Sequence, residues 1–413
     1  MIDLYGRATL INLQRPLGEQ VFRLSSRESF QPGQYLLTSD GSLDKDREVF
    51  LLTDEKASFA GIEYVVAPPS MNYLKEGDIV ALSAEGKSIS ALWRGNDSTN
   101  TILLTERCDN LCLMCSQPPK EKNDDWLLRR AFDLVSLMPR DAREIGITGG
   151  EPTLYGDRFN DLVSHISVNL PETALHILSN GRRFADPVFA ANYAERANDL
   201  TMVGIPIYGS EPKLHDYVVQ ASGAFEETIN GILNLGELGQ AIEIRVVLHA
   251  ITAPRIVDIA EYIVRNLAFV DQVALMGLEM MGFARKNQEL LWIDPLQYGE
   301  QLAEATELLA AHGVHTLIYN HQLCLLHRDL WKYAVQSISD WKNEYDPVCQ
   351  NCDLLERCGG FFHSAKYGSS GLIQPLNADG TPKKSLISTA ENSSESHVGW
   401  KRRLIPVTGV TSE

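Results

Sequence analysis

The chain has 413 residues, 44% of them hydrophobic and 22% charged, with a formal net charge of -17 at pH 7. That length and apolar content exceed one average domain, and two or three domains are expected. The acidic balance excludes a broad face that neutralises nucleic-acid phosphates or anionic lipid, and with no signal peptide and no run of about 20 uncharged apolar residues, a soluble cytoplasmic protein is expected.

Residues 1–98 read as a small N-terminal β-rich domain. Short apolar runs (Val21–Leu24, Tyr35–Thr38, Val49–Thr53, Ile62–Ala67, Ile79–Leu82) are separated there by Gly, Pro, Asp and Ser clusters. From residue 99 strands alternate with helices. The expected strands are Thr101–Leu104, Glu144–Thr148, Ala174–Leu178, Met202–Ile207, Ile242–Leu248 and Gln272–Met276. Between them Trp126–Leu137, Phe159–Val168, Phe225–Leu235 and Pro254–Asn266 carry apolar residues at helical spacing. Six such β-α repeats over 99–313 predict an α/β fold, a parallel sheet curled into a partial or closed barrel. Chemistry in that architecture sits at the C-terminal ends of the strands. A helix over Leu296–Ala311 and a strand over Val314–Ile318 lead into a cysteine-bearing region, 314–376. Residues 377–413, rich in Ser, Thr, Asn and Lys, read as a disordered tail.

Seven cysteines without an export signal are expected to be reduced thiols. Cys108, Cys112 and Cys115 follow the first barrel strand with the spacing Cys-x3-Cys-x2-Cys, short enough for one loop to wrap three thiolates around one centre. Soft thiolates select zinc, copper(I) or iron-sulfur clusters. Three ligands leave one position open, the mark of a catalytic site rather than a structural one. Spacing alone also admits a zinc ion with a distant fourth ligand, or three buried thiols packing as small hydrophobes. Cys324, Cys349, Cys352 and Cys358 supply four ligands, a closed site for which zinc and a four-iron cluster are equally compatible.

The run Cys108-Asp109-Asn110-Leu111-Cys112-Leu113-Met114-Cys115 resembles the cluster motif of the radical S-adenosylmethionine (SAM) superfamily. The resemblance implies a partial (β/α)6 TIM-like barrel and a [4Fe-4S] cluster on these three cysteines whose open iron takes SAM. It implies SAM contacts from Gly149, Gly150, Glu151 and Pro152, with Glu151 an acceptor for the methionyl ammonium, and from the Ser179-Asn180-Gly181 ribose turn. Arg245 would meet the SAM carboxylate, and Met276 with Gly277 would lie near adenine. Met114 stands where the family usually has an aromatic residue, and its thioether would pack against adenine. The implied chemistry is reductive cleavage of SAM to a 5'-deoxyadenosyl radical that abstracts hydrogen from an unactivated C–H bond.

The second cysteine group resembles the auxiliary-cluster (twitch/SPASM-like) regions of peptide-modifying members, implying a second [4Fe-4S] cluster on Cys324, Cys349, Cys352 and Cys358, with zinc as the alternative. Four segments (Cys115–Pro119, Tyr319–Cys324, Ser337–Asn343 and Cys358–Phe362) together resemble the His-Xaa-Ser system radical SAM maturases of the C type, over about 100–375. That resemblance implies a ribosomally synthesised His-Xaa-Ser repeat peptide as substrate, a partner radical SAM maturase, and an electron donor such as flavodoxin or ferredoxin. The alternatives are a radical SAM enzyme on a small molecule and a non-catalytic metal-binding scaffold for the partner maturase.

Several residues invite a role and have a plainer reading beside it. His215 is an acid-base candidate or a packed histidine, and Glu279 and Arg285 contact substrate or lie in a solvated loop. Trp341, Phe361 and Phe362 read as the apolar shell of the second cluster; His321 and His363 either tune it or simply pack. The N-terminal domain is a candidate for leader-peptide binding by strand addition at an exposed edge.

Overall fold

The computed structural model describes residues 5–11, 20–26, 34–38, 49–52, 63–83, 85–97, 99–336 and 344–383. Eight short strands form the N-terminal sheet: β1 (Tyr5–Arg7), β2 (Thr9–Ile11), β3 (Gln20–Ser25), β4 (Gln34–Thr38), β5 (Val49–Leu52), β6 (Tyr64–Val66), β7 (Ile79–Leu82) and β8 (Ser88–Trp93). Their order is β1-β8-β7-β3-β4-β5-β6-β2. Only Ala8 separates β1 from β2, and β1 pairs with β8 while β2 pairs with β6. The two ends of the sheet are therefore one stretch of chain, and the sheet closes on itself around Phe22, Leu24, Leu37, Leu51, Val65 and Leu82. β1 and β2 are the outer strands of that order, each paired on one side.

The second sheet is parallel throughout and runs in sequence order: β9 (Asn100–Thr105), β10 (Glu144–Gly149), β11 (Ala174–Leu178), β12 (Thr201–Pro206), β13 (Ala241–Leu248), β14 (Gln272–Gly277) and β15 (His315–Tyr319). Its helices are α1 (Asp125–Leu137), α2 (Asp157–Asn169), α3 (Pro187–Ala194), α4 (Pro212–Val219), α5 (Ala224–Glu237), α6 (Ile256–Asn266), α7 (Gly282–Lys286), α8 (Gln288–Leu291) and α9 (Gly299–Ala311). The sheet thus has a seventh strand beyond the expected six, because β15 pairs in register with β14 (Val273↔Thr316, Leu275↔Ile318). β9 and β15 are its outer strands, consistent with a partial barrel.

Alternation assigns the two faces. Ile145, Ile147, Ile177, Val203, Ile205, Ile244 and Val273 are fully buried against the helices. The opposite parity faces the lumen and is polar: His176, Glu243, Arg245 and Gln272. The N-terminal sheet packs on this core through Val21, Ile79 and Trp93, which join the cluster containing Leu128 of α1. Both amide atoms of Asn100 bond the backbone of Arg94, clamping the junction at the N-terminal end of β9.

The C-terminal residues 344–383 are irregular, built from short 3-10 turns over Pro347–Asn351, Leu355–Arg357 and His363–Tyr367. A cavity of about 60 Å³ separates them from the ends of β13–β15, lined by Leu278, Met280, Tyr298, Phe361 and Phe362 among others. Residues 377–383, the start of the stretch read as a tail, fold back on this unit: Leu376 bridges Pro382, and Lys383 pairs with Asp353. The rest of that stretch, 384–413, lies outside the described residues. Among the described residues no helix is long and apolar enough to cross a membrane.

Candidate active site

β9 ends three residues before Cys108, at the C-terminal face where a barrel places its chemistry. The link is held from β10. The Gly150 N–H donates to Thr105 O at 2.8 Å and the Glu151 N–H to Arg107 O at 2.7 Å. A Cβ on Gly150 would stand 2.0 Å from Arg107 O, and one on Gly149 would stand 2.4 Å from Thr105 O. The glycine pair is therefore required by close approach to the cysteine loop's own backbone.

Asp124 holds the same link from the other side. It precedes α1 as the N-cap residue yet makes no capping bond. Its carboxylate instead accepts from Glu106 N (2.6 Å), Thr105 Oγ1 (2.8 Å), Arg107 Nε (2.9 Å) and Tyr155 Oη (3.1 Å). Burial opposes its ionisation, but these donors outweigh burial and hold the carboxyl below its ordinary value. The Asn-Asp-Asp run at 123–125 reads as a helix start in sequence, which hides this role.

Beyond Cys108 the loop is tied to three further elements, the Asn180–Arg182 turn, α4 and the Gly282–Asn287 segment. Asn180 Nδ2 donates to Asp109 Oδ1 at 2.6 Å, and Arg182 Nη1 donates to Asp109 O (2.9 Å) and Asn110 Oδ1 (2.8 Å). The N–H groups of Leu111 and Leu113 donate to Val219 O and Val218 O at the end of α4. Asn287 Nδ2 reaches Leu113 O at 2.8 Å, and Phe283 N–H reaches Cys115 O at 2.8 Å. Gly282, at φ +55°, packs where a Cβ would lie 2.4 Å from Cys115 O.

The three thiols so gathered are uncomfortable as thiolates without a cation. Burial, with repulsion from Glu151, Asp109 and Cys115, pushes Cys108 up to about 12. Burial and the other two sulfurs push Cys112 up as well, and burial raises Cys115. Three thiol side chains on one loop are the soft donors that an iron-sulfur cluster takes, one to each of three irons. The donor set fits the cluster.

Residues 102–263 match the family model described as the Radical SAM superfamily. They form a radical SAM domain. A search of curated proteins gave no match. Among solved structures the chain is similar to Streptococcus suis SuiB bound to S-adenosylmethionine, at 16% identity, over 54% of this chain and 51% of that one, with a TM-score of 0.42. It is similar to anSMEcpe with bound AdoMet at 16% identity, over 53% and 62%, with a TM-score of 0.40. Methylornithine synthase (PylB) follows at 13%, over 53% and 70%, with a TM-score of 0.37. The chain spans about half the length of the first of these.

Within the radical SAM domain, Glu151 and Met114, both expected near SAM, also make contacts inside the protein. The Glu151 carboxylate is buried and accepts from Thr153 N (3.0 Å), Thr153 Oγ1 (2.6 Å), Ser179 Oγ (2.8 Å) and Asn180 N (2.6 Å). Three of these donors share Oε1 and only the Asn180 N–H reaches Oε2, which keeps acceptor capacity for an ammonium. Burial raises its pKa against those donors. Glu151 thus ties the end of β10 to the Ser179-Asn180 turn. Met114 is buried with Tyr208, Val218, Val219 and Leu291, a packing role beneath the loop.

Arg245 and Met276 do come together in the lumen, Arg245 Nη2 lying 3.2 Å from Met276 Sδ. Arg245 Nη1 bonds Glu243 Oε1 at 2.5 Å, and His176 Nε2 stands 3.3 Å from the same oxygen. Gly204 makes room for this group, since its Cβ would come within 3.0 Å of both Arg245 Cδ and His176 Nε2. Burial opposes ionisation of Glu243, but His176, Arg245 and Gln272 hold its carboxyl near 2, down to about 2. Neither Glu243 nor His176 stands out in sequence, because each occupies one lumen position in an apolar strand.

His215 packs among Tyr208 and Phe225 with its Nδ1 accepting from Tyr208 N at 3.2 Å. Arg285 stacks on Tyr367 at 3.7 Å, joining the loop after β14 to the C-terminal unit, while Glu279 lies in that loop. His321 is buried, its Nδ1 donating to Tyr319 O (2.8 Å) and its Nε2 accepting from Tyr298 Oη (2.9 Å). His363 is on the surface between Glu344 and Lys366.

Cys324, Cys352 and Cys358 pack with Leu323, Leu354, Leu376 and Trp331. Cys349 is within electrostatic reach of Cys324 and Cys358, and burial together with those sulfurs pushes it up to about 11. The tryptophan at this site is Trp331, whose Nε1 donates to Leu323 O at 3.0 Å. Trp341 and the whole Ser337–Asn343 segment lie outside the described residues, and Phe361 and Phe362 line the cavity instead.

Proposed function

We propose that this chain is a radical SAM enzyme that modifies a ribosomally synthesised peptide, a His-Xaa-Ser repeat peptide, beside a partner radical SAM maturase. The observation that carries the radical SAM reading is the placement of Cys108, Cys112 and Cys115 on one braced loop at the end of β9, inside the domain matched over 102–263. Those three cysteines would hold a [4Fe-4S] cluster. When bound, the cluster supplies the electron that cleaves SAM to a 5'-deoxyadenosyl radical able to take hydrogen from the peptide. Gly149, Gly150 and Pro152 supply the backbone edge, Ser179 and Asn180 the ribose-side turn, and Arg245 with Met276 the lumen surface that receives SAM. Glu151 braces the Ser179-Asn180 turn and keeps acceptor capacity on Oε2 for the methionyl ammonium.

The peptide reading is supported by the family words around both cysteine groups and by the four cysteines gathered beside the strand ends. Cys324, Cys349, Cys352 and Cys358 would hold a second [4Fe-4S] cluster, zinc being the other occupant the donor set accepts. A flavodoxin or ferredoxin would supply the electron. The test is anaerobic reconstitution with iron, sulfide and a strong reductant. SAM should yield 5'-deoxyadenosine, and Cys112→Ala should abolish that yield. Undiminished cleavage in the variant would overturn the assignment. Deuterium appearing in 5'-deoxyadenosine from a labelled His-Xaa-Ser peptide supports the substrate class. Transfer only from a small molecule would replace it, and metal binding without SAM turnover would leave a scaffold.

A further inference from the structure

Asp109 is an acid inside the cysteine run, and its charge adds to the cost of ionising both Cys108 and Cys112. Such a carboxylate beside a cluster disfavours the extra electron that reduction adds, because cluster potentials follow local net charge and hydrogen bonding to sulfur. The fold answers it with one cation. Arg182 follows Gly181, which has φ +81°, and its N–H donates to Asn180 Oδ1 at 3.0 Å. Its side chain is only 16% exposed. Nη1 bonds Asp109 O and Asn110 Oδ1 and stands 3.3 Å from Asp109 Oδ2, while Nε bonds Glu227 Oε2 at 2.6 Å. Asn110 in turn points its N–H at Cys108 Sγ, 3.4 Å away. A guanidinium stays charged at any working pH, so a fixed positive charge is locked on the two residues that follow Cys108.

We propose that Arg182 is a positioning residue that sets the reduction potential of the cluster held by Cys108, Cys112 and Cys115, by offsetting the Asp109 carboxylate at the cluster's edge. The proposal rests on the cluster assignment made above. Arg182 alone faces two carboxylates, Asp109 and Glu227, so removing it leaves an anion beside the cluster as well as deleting a cation. A brace would need only hydrogen-bond donors, whereas a tuning role needs the charge. One unit charge held about a nanometre away in a partly screened site is worth about tenfold in an equilibrium. For one electron, tenfold is about 59 mV.

The experiment is a redox titration of the reconstituted full chain, followed by electron paramagnetic resonance with iron and sulfide counted. Arg182→Gln should lower the midpoint potential by about 59 mV, a tenfold loss of reduced cluster at fixed potential. Arg182→Lys should stay near the parent, Asp109→Asn should raise the midpoint, and the double variant should return toward the parent. A fully loaded Arg182→Gln with the parent midpoint overturns the proposal, as do equal shifts in the Gln and Lys variants. Should Arg182→Gln lose its cluster, Asp109→Asn decides, an unmoved midpoint counting against the idea. A protein whose midpoint responds in this way but does not cleave SAM would defeat the proposed activity and leave the role of Arg182 standing.

Discussion

Replacing Asp124 by alanine should loosen the cysteine loop at its root without touching a cysteine. The side chain is nearly buried, and the change strips the acceptor from four donors. Tyr155 Oη keeps the carbonyl oxygens of Leu104 (3.3 Å) and Asp124 (3.2 Å) as partners, so it adds little. Arg107 is about a third exposed, and its ion pair counts for less than about 1 kcal/mol. The stranded Glu106 N–H costs about 1–3 kcal/mol, and the Thr105 hydroxyl adds about 1. The sum, about 3 kcal/mol, falls on residues 105–107, and amide exchange at Glu106 and Arg107 should accelerate by about a hundredfold, 1.4 kcal/mol being tenfold. Iron retained after reconstitution should fall with it. Because the folded pKa of Asp124 is lowered, its contribution is present above about pH 3.9 and is lost as pH falls through the folded value. Parent-like exchange at both amides in Asp124→Ala, with full iron content, would refute the bracket.

Gly150→Ala should prevent iron loading, since its Cβ meets the Arg107 carbonyl oxygen at 2.0 Å, whereas Gly156→Ala, which meets no atom but strains a backbone at φ +59° and ψ -131°, should cost about 1–3 kcal/mol of stability and still load iron; equal iron content in the two variants would contradict the reasoning. His215, His249 and His321 are each held down to about 4 by burial, against about 6.5 in the unfolded chain. The unfolded state then binds more protons between those values, so stability should fall as pH drops from about 6.5 to 4, by up to about 3 kcal/mol per histidine; a urea midpoint that stays flat across that window would refute it. Tyr298→Phe should cost about 1–2 kcal/mol by leaving the buried Nε2 of His321 without its donor, measured by denaturant titration, and no change would show that the bond contributes nothing. Metal-free protein should lose exchange protection over 344–383 while keeping it over 105–115, and protection lost in both at once would sink the distinction.

The barrel was legible because each of its strands carries Ile, Val and Leu at the positions that face the helices, and that face is read from one strand at a time. The seventh strand was visible as Val314–Ile318, but the pairing with β14 that places it in the sheet is a long-range fact. β1 and β2 were missed for a related reason. Three-residue strands such as Tyr5–Arg7 and Thr9–Ile11 have too little periodicity to register, and only their two different partners reveal the closed sheet. The cysteines announced themselves by spacing, yet the residues that hold them did not. Asp124, Tyr155, Arg182 and Asn287 lie 16 to 179 residues from Cys108 and look like ordinary helix-start or surface residues in sequence. Glu151 stood out in the Gly-Gly-Glu-Pro run, but its ties to Ser179 and Asn180, 28 and 29 residues away, are long-range facts that the run does not show.

The two cysteine groups differ in what organises them before any metal arrives. The loop at 108–115 draws its shape from β10, α4, the Asn180–Arg182 turn and the Gly282–Asn287 segment, all parts of a large core. Metal binding there need not fold anything, so its free energy is available to hold three thiols as thiolates against burial and mutual repulsion. Among the described residues the unit at 344–383 contributes Leu354 and Leu376 to a small buried apolar cluster completed by Leu323, with 3-10 turns in place of helices or strands. So small a core does not repay the entropy of ordering the chain around it, and units of that kind are held by a metal or a disulfide. With no disulfide among its cysteines, a metal centre on Cys324, Cys349, Cys352 and Cys358 would supply that staple. A site that is rigid without its metal suits chemistry, and one that took its shape from its metal would suit a structural role.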